Sequence, residues 1–217
     1  MRRVDRTAVS VPECLKAATD QRTYSHLRGA EKTQIREALL AIQGQRCAYC
    51  ERRTGASAKD GHVEHFRKQA DHGDLTMAWA NLFWSCNDEN TCGKHKDGCN
   101  REAGARARFD PARLIDPSAD DPDDYLLFVT DGTVRPREGL TDDQRTKACE
   151  SLRVFNLAES AFLRRAREDA VRPFFNTIAW LQEHAPEKVP VYVASERAKI
   201  DAQPFSTAIR HFFRDYS

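Results

Sequence analysis

Four cysteines occur as two short pairs, a pattern that is typical of metal binding. Two residues separate Cys47 from Cys50, and five residues separate Cys86 from Cys92. Thiolate sulfur is a soft ligand that suits Zn²⁺, and a tight turn can present two sulfurs to one ion. The chain has seven cysteines, an odd number, which favours metal binding or free thiols over a set of disulfides. The sequence therefore predicts a structural zinc site with these four ligands.

The other three cysteines have no partner at a comparable spacing. We expect Cys14 and Cys149 to be buried thiols of the hydrophobic core. Cys99 is near the second pair in the sequence and is an alternative zinc ligand. The zinc prediction thus depends on four of the seven cysteines.

Polar groups with catalytic potential lie within and just after the 35 residues that separate the two pairs. They occur in the stretches GHVEHF at 61–66, WANLFWSC at 79–86 and CGKHKDG at 92–98. If the four cysteines bind one zinc ion, the intervening segment is a loop closed by the metal. The sequence therefore brings carboxylate, imidazole and amide groups towards one metal site.

The order of these groups resembles that of zinc-stapled HNH endonucleases, which have a ββα-metal core. That order is a Cys pair, an acid followed by His, Asn-Leu, a second Cys pair and Lys. Longer stretches are similar to PtuB-type proteins, the HNH nuclease subunits of Septu anti-phage systems that also occur with some retrons: CAYCE, HVEHFR, W-x-NL-x-x-SC, CGKHKD and LIDPSADDPDDYLLFVTDGTVRP. The resemblance lies within residues 1–170 and implies a metal-dependent endonuclease.

The resemblance assigns roles to three residues. His65 would be the general base, because a neutral imidazole can accept a proton near neutral pH. Glu64 would bind the catalytic metal. Because neighbours on a strand point to opposite faces, a bend or twist is needed for both to serve one site. Asn81 would hold the loop that carries the base through side chain-to-backbone hydrogen bonds.

The position expected for the second protein ligand of the catalytic metal departs from the family pattern. HNH endonucleases commonly have Asn or His directly after the last cysteine, whereas this chain has Gly93, which has no side chain. We predict His95 as the second ligand, with Asn90 and Asp97 as alternatives. Carboxylate ligands suit Mg²⁺, and a histidine ligand makes Mn²⁺ competitive, so either ion is expected.

Basic residues close to His65 are predicted to bind substrate. Arg67 and Lys68 follow the base, and Lys96 keeps the Lys position of the family, so we expect all three to contact phosphate. For His62 we favour a structural role over one beside the metal or at phosphate. The resemblance implies a nucleic-acid substrate, DNA in preference to RNA, and an ATPase partner of the PtuA type.

Periodicity and turn signals predict the elements that position these residues. A helix over 31–44 precedes the first cysteine pair. Residues 45–100 have little helical periodicity beyond a short stretch near 75–82. The segment 125–136 indicates a β-hairpin with the two-residue turn Asp131-Gly132.

Three helical segments are predicted after the hairpin. The first, over 141–157, begins with the capping box TDDQ. A long helix over 159–184 is expected to break or kink near Pro173, and 194–215 is helical with an interruption around Pro204. Aromatic side chains are expected to form a core between these helices, namely Phe162, Phe174, Phe175, Trp180, Phe205, Phe212 and Phe213.

The predicted fold class is α+β, with three regions. Residues 1–44 form an N-terminal segment and helix, and residues 45–136 form a zinc-stapled HNH core with the following hairpin. Residues 137–217 form a mostly helical C-terminal region.

Overall charge does not indicate a nucleic-acid partner, because the net charge is +1. The charge is uneven, however: residues 101–113 are basic and residues 116–124 are acidic. Without an apolar stretch of membrane-spanning length or a signal-peptide pattern, we expect no membrane association and a cytoplasmic location. The alternative functions are a non-catalytic zinc module that binds nucleic acid or a partner protein, and an HNH nuclease that cleaves RNA.

Overall fold

The computed structural model of the chain describes residues 1–16 and 23–216, and in them it shows an α+β fold. Seven α-helices are described: Glu13–Lys16 (α1), Gly29–Gln43 (α2), Cys92–Asp97 (α3), Asp142–Val154 (α4), Ala161–His184 (α5), Val189–Arg197 (α6) and Ser206–Arg214 (α7). Four strands form two antiparallel pairs: Gly61–His65 (β1) with Leu82–Cys86 (β2), and Leu126–Phe128 (β3) with Val134–Pro136 (β4). Among these residues, we find no helix with the length and apolar character that a membrane span requires.

The first strand pair and the helix that follows it form the centre of the cysteine-rich region. Gly61 pairs with Cys86 and His65 pairs with Leu82, so the end of β1 lies beside the start of β2. All five residues of β2 are buried, and the strand contacts both α2 and α3. The elements therefore run strand, strand, helix, with α3 against the paired strands.

The segment between β1 and β2 contains no α-helix. The short stretch of helical periodicity near 75–82 corresponds to two 3₁₀ turns, Gly73–Leu75 and Trp79–Asn81, after which the chain enters β2. Short 3₁₀ turns suit a connection that must reverse direction between two paired strands.

Helix α2 supports β2 from one side. It occupies Gly29–Gln43, close to the predicted range, and Gly44 ends it in the left-handed conformation with φ of +61°. Its apolar stripe packs with β2 in a hydrophobic cluster that includes Ile35, Leu39, Leu40, Leu82 and Trp84.

A larger hydrophobic cluster contains residues from all three regions predicted from the sequence. Its members include Val4, Phe66, Phe83, Phe128, Phe155, Ile178 and Phe213. Near its centre, the ring of Tyr49 stacks on Phe155 with 4.1 Å between ring centroids. The cysteine region is thus packed directly on the C-terminal helices.

A buried carboxylate also joins the cysteine region to α7. Glu51 accepts hydrogen bonds from the Ser206 hydroxyl and the Thr207 N–H, both at 3.0 Å, and pairs with the Met1 ammonium at 2.7 Å. Although burial opposes ionisation, the ammonium and Thr207 hold the pKa of Glu51 well below its usual range. The carboxylate is therefore charged, and it holds the start of α7 against residues 47–52.

The C-terminal helices agree with the local signals in the sequence, except at Pro173. The capping box at α4 is confirmed, because Thr141 and Gln144 each accept a hydrogen bond from the other's backbone N–H. Helix α5 continues through Pro173 for 24 residues, so the predicted break is absent. Pro173 lies on the exposed side, where water can bond the carbonyl that proline leaves without a donor.

The predicted aromatic core is half right. Phe205, Phe212 and Phe213 are buried, but other predicted members on α5 are exposed: Phe162 at 52%, Phe175 at 51% and Trp180 at 57%. Helix α5 buries a narrow stripe, and these aromatic side chains lie outside it. The stripe consists of Leu163, Arg167, Val171, Ile178 and Leu181.

The hairpin of β3 and β4 is confirmed, but its turn differs from the prediction. The Gly132 N–H donates to Val129 O and the Val129 N–H donates to Thr133 O, which gives a loop of three residues rather than two. Gly132 has a φ of +79°. A Cβ atom at this position would also collide with the backbone oxygen of Arg164 in α5. The close approach of the hairpin to α5 therefore requires glycine.

We predict that Gly132→Ala destabilises the fold far more than Gly139→Ala. Both glycines have positive φ, but a Cβ on Gly139 meets no atom within 4 Å. Alanine at 139 should cost about 1 kcal/mol of unfolding free energy, from backbone strain alone. Alanine at 132 adds a backbone collision, so the loss should be about 3 kcal/mol or more. Urea unfolding measures both variants, and equal losses would contradict the predicted contact with α5.

Candidate metal centre and active site

The four predicted zinc ligands come together in the structure. The sulfur atoms of Cys47, Cys50, Cys86 and Cys92 all lie within 4.8 Å of one another, and all four residues are buried. Four sulfurs around one zinc ion, each about 2.3 Å from the metal, would be about 3.8 Å apart. The buried cluster can therefore hold a zinc ion.

Backbone contacts build the zinc site from two separate parts of the chain. Residues 47–52 form a turn, in which the Ala48 N–H donates to Trp84 O at 3.0 Å and so fixes the turn to β2. Cys86 is the last residue of β2, and Cys92 is the first residue of α3, with a φ of +55°. The strand end and the helix start thus deliver the second pair of ligands.

The charge of the cluster is balanced in part by its surroundings. Burial opposes thiolate formation, yet hydrogen bonds from Cys50, Cys86 and Cys92 hold the pKa of Cys47 well below its usual range. Burial opposes the charge of the nearby Arg52, but the sulfurs of Cys86 and Cys50 offset it and raise the pKa of the guanidinium. Burial and the same hydrogen bonds raise the pKa values of Cys50 and Cys92, so within the cluster the negative charge is favoured at Cys47.

The remaining cysteines lie outside the cluster. Cys99 is buried, but its thiol contacts His95 O at 3.4 Å, so it is not a fifth member of the zinc site. Cys14 is buried, as predicted. Cys149 is exposed, and its prediction as a core thiol is wrong because α4 turns its neighbour Ala148 inward instead.

Glu64 lies on the face of β1 that points towards α3. Its side chain is 1% exposed, and Oε1 is 2.5 Å from the ammonium of Lys96, which is itself fully buried. Although burial opposes ionisation, the charge of Lys96 lowers the pKa of Glu64. The second oxygen, Oε2, lies 3.5 Å from His62 Nε2. The carboxylate is therefore ionised, with one oxygen paired and the other directed at an imidazole.

Gly93 explains why α3 can approach this carboxylate so closely. A Cβ atom on Gly93 would lie 2.6 Å from Glu64 Oε2, which is shorter than any normal contact. The Asn or His that HNH endonucleases commonly have here would not fit beside Glu64 in this arrangement. In this chain the space next to Gly93 is filled by the carboxylate itself.

His65 faces the other side of β1 and has a defined tautomer. Nε2 is 3.0 Å from Thr76 O, which can only accept, so the ring proton lies on Nε2. Nδ1 therefore has a lone pair, and it faces the exposed Gln69, whose Nε2 is 3.0 Å away. Burial lowers the pKa of His65. The imidazole is thus neutral, held by one carbonyl, and covered on its basic side by a surface amide.

Asn81 fixes the chain just after His65. Its Oδ1 accepts from the Arg67 N–H at 2.7 Å, and its Nδ2 donates to Arg67 O at 3.0 Å and to Leu75 O at 3.1 Å. The side chain is buried. These three bonds hold both the strand exit and the 3₁₀ turn that precedes Thr76, the partner of His65.

The three predicted phosphate-binding residues already have partners within the protein. The Lys96 ammonium donates to His65 O at 2.5 Å in addition to its pairing with Glu64, and it has no exposed surface. Lys68 donates to two carbonyl oxygens near the end of α3, and Arg67 lies 3.6 Å from Asp116. Arg67 and Lys68 are partly exposed, whereas Lys96 can reach a phosphate only after a rearrangement.

The structure does not bring His95 to Glu64. The His95 ring is directed at α4, where its Nδ1 is 2.8 Å from Val154 O. Of the two alternatives, Asn90 is exposed and its carbonyl binds Asn156. Asp97 is nearer, because its Oδ1 lies 3.1 Å from the Lys96 ammonium that pairs with Glu64. The contacts therefore do not support His95 as the second ligand beside Glu64.

His62, for which the sequence favours a structural role, lies beside Glu64 in the structure. It lies two positions before Glu64 on β1, so the two side chains share a face of the strand. Its Nδ1 is 2.8 Å from Asn87 Oδ1. Spacing of two residues on a strand was the signal that could have identified it, once β1 was recognised as a strand.

A cleft of about 350 Å³ opens beside Asn87, next to His62. Its lining is mostly charged and polar: Arg52, Arg53, Thr54, Gly55, Lys59, Asp60, Asn87 and Asp88. The His62 side of β1 is therefore close to solvent, although Glu64 is enclosed.

Comparison with known proteins gives two relatives with informative names. The chain is 30% identical to a Septu protein PtuB of Bacillus thuringiensis over 96 residues, which cover 44% of this chain and 33% of that protein. It is 27% identical to a retron Vc95 putative HNH endonuclease of Vibrio cholerae serotype O1 biovar El Tor over 113 residues, 49% of this chain and 48% of that protein. No family model matches the chain. The resemblance to PtuB-type HNH nucleases is thus confirmed, over matches that span a third to a half of the relatives.

We predict that Cys50→Ser loses bound zinc and lowers the midpoint of thermal unfolding by about 10 °C or more, because a structural metal contributes directly to folding. Cys149→Ser is the matched control, since this thiol is exposed and outside the cluster. Metal analysis and thermal unfolding of the purified proteins measure both effects. Zinc content that is the same in wild type, Cys50→Ser and Cys149→Ser would contradict the assigned site.

Proposed function

We propose that the chain is a metal-dependent endonuclease of the HNH type that hydrolyses phosphodiester bonds, in DNA in preference to RNA. The observation that carries this proposal is the state of His65. Its ring is buried and neutral, Nε2 is bound to Thr76 O, and the lone pair of Nδ1 faces the surface at Gln69. A general base needs this combination of a fixed ring and a lone pair that a reactant can reach.

His65 is proposed to take a proton from the attacking water at Nδ1, after the Gln69 amide has moved aside. The proton on Nε2 stays in its bond to Thr76 O, which stabilises the imidazolium that forms. Asn81 keeps this geometry by holding the backbone on both sides of the loop. His65, Thr76 and Asn81 thus serve the same step, the transfer of one proton from water to His65.

Glu64 is proposed to hold the catalytic divalent ion. When bound, such an ion polarises the phosphate and stabilises the leaving oxygen. The carboxylate is a hard oxygen ligand that suits Mg²⁺ or Mn²⁺, and Lys96 keeps it ionised. Its second oxygen, Oε2, faces the His62 imidazole at 3.5 Å rather than the Lys96 ammonium, which leaves that oxygen available as a ligand.

The basic segment 101–113 is proposed to bind the nucleic-acid backbone. Lys68, three residues after the base, lies 5.1 Å from the ring centroid of Phe109, so this segment lies next to the exit of β1. Arg101, Arg108 and Arg113 are exposed along it. Exposed arginines close to the proposed general base, His65, can hold the phosphates of a nucleic acid in position.

Anti-phage defence with an ATPase partner of the PtuA type is proposed as the setting. The names of the two relatives, Septu and retron proteins, support it. Helix α5 presents Phe175 and Trp180 to solvent, and exposed aromatic side chains of this kind are frequent at protein interfaces. We propose the C-terminal helices as the surface that meets the ATPase, and co-purification with Trp180→Ala tests it.

A zinc-stapled binding module without catalysis is the second candidate. The pairing of Lys96 with Glu64 favours it, because an ammonium at 2.5 Å already neutralises the carboxylate. Such a module would bind nucleic acid or a partner without cleaving it. The cleavage experiment below separates the two candidates.

We predict that His65→Ala lowers the rate of plasmid cleavage by about 10²–10⁴-fold, the usual contribution of a general base. The assay uses supercoiled DNA or RNA with Mg²⁺ or Mn²⁺, with and without the ATPase partner. His184→Ala is the control in the assay without the partner, since this histidine is exposed on α5 and distant in sequence from the site. Zinc content shows whether each variant is folded.

Two results would reject the nuclease proposal. Unchanged cleavage by His65→Ala would reject His65 as the general base. A wild type that binds nucleic acid without cleaving it under any of these conditions would favour the binding module.

A further inference from the structure

An imidazole nitrogen with no hydrogen-bond partner is buried beside Glu64. His62 Nε2 is buried, makes no hydrogen bond, and lies 3.5 Å from Glu64 Oε2. This distance is too long for a strong hydrogen bond. Buried polar atoms in proteins nearly always have a partner, so this nitrogen is available to a ligand that the protein itself does not supply.

Asn87 determines which nitrogen of His62 carries the proton. The Asn87 amide Nδ2 donates to Ala58 O at 2.7 Å and to Lys59 O at 3.2 Å, so its orientation is fixed by two acceptors. Asn87 Oδ1 therefore faces His62 Nδ1, at 2.8 Å, and must accept from it. In the neutral ring, the proton lies on Nδ1 and the lone pair on Nε2. This is the arrangement of a metal-binding histidine whose second nitrogen is held by an outer hydrogen bond.

Gly93 leaves one ligand position of the expected metal site without a side chain. A Cβ atom there would collide with Glu64 Oε2, so no larger residue can take up the role in this arrangement. His95, on the same helix, is directed at Val154 O instead. His62, two residues before Glu64 on the same strand, faces the same carboxylate oxygen, and its Nε2 makes no hydrogen bond.

We infer that His62 Nε2 and Glu64 Oε2 together hold the divalent metal, and that His62 replaces the ligand missing at Gly93. The inference rests on the proposed function, since this ion is the one that hydrolysis would use. Two ligand atoms of one ion, each about 2.1 Å from it, are separated by about 3 Å, close to the spacing here. The His62 side chain is 25% exposed, and it bonds Asn87, which lines the open cleft of about 350 Å³.

An imidazole ligand also has a consequence for the choice of metal. Mg²⁺ prefers oxygen ligands, whereas nitrogen ligands favour Mn²⁺ and other transition metals. A site made of one carboxylate and one imidazole should therefore bind Mn²⁺ in preference to Mg²⁺. Replacing His62 by Asp would supply oxygen in place of nitrogen and should reduce that preference.

The test measures metal binding directly. Zinc-loaded protein is titrated with Mn²⁺, and free Mn²⁺ is followed by electron paramagnetic resonance. We expect wild type to bind a single Mn²⁺ in addition to zinc, and His62→Ala and Glu64→Gln to bind it at least ~10-fold more weakly. Asn87→Ala, which loses the outer hydrogen bond, should weaken binding by about 10-fold.

Controls separate loss of a ligand from loss of structure. His184→Ala, on exposed α5, should bind Mn²⁺ like wild type. His62→Gln keeps a polar side chain of similar length on β1 and should lose Mn²⁺ affinity as His62→Ala does. Unchanged zinc content and unfolding midpoint in both variants show that the strand pair is intact.

The outcomes distinguish this inference from the nuclease proposal. Mn²⁺ affinity that is unchanged in His62→Ala, or a wild type that binds no Mn²⁺, overturns the inference. If cleavage still depends on His65 in that case, the nuclease proposal stands with another metal ligand. If Mn²⁺ binding depends on His62 but no nucleic acid is cleaved, the metal site stands and the nuclease proposal fails.

Discussion

The convergence of four cysteine sulfurs is the constraint on which the rest of the site depends. It joins the turn at residues 47–50 to the end of β2 and the start of α3, and so closes the intervening chain into a loop. That loop contains β1 with its acid and histidines, and Asn81. Much of the loop outside the strands is polar. Because ordering its backbone costs about 1–2 kcal/mol per residue, a zinc ion in the cluster would add to the support that α2 gives.

A second constraint is the burial of an ion pair between β1 and α3. Glu64 and Lys96 are both almost fully enclosed, and a buried charge is tolerated when an opposite charge and further hydrogen bonds satisfy it. Gly93 and Lys96 are three residues apart, so they share the helix face that meets the carboxylate. His95 cannot share that face, which explains why nearness in the sequence to the last cysteine was misleading.

Features that depend on local chemistry were predictable from the sequence. The cysteine pairs, the helix before them and the capping box of α4 all have short-range signals, and each is present. The side chains facing one another across β1 and α3 were not predictable, because they depend on strand alternation and on how a six-residue helix is rotated. The Glu64–Lys96 pair belongs to this second group. The contact of Gln69 with His65 was not predictable either, because it depends on the path of the chain after β1. Likewise, the exposure of Phe175 and Trp180 follows from which stripe of α5 meets the core.

The amide of Gln69 over His65 Nδ1 has a kinetic consequence. If His65 is the base, as proposed, it works only in the fraction of molecules in which the Gln69 amide has moved away, so the basal rate equals the intrinsic rate multiplied by that open population. Because Gln69 is an exposed side chain with several rotatable bonds, a modest free-energy bias sets this fraction. In the proposed nuclease, one surface residue would thus lower the activity without altering the chemistry. A contact that moves the Gln69 side chain away from His65 would raise the activity.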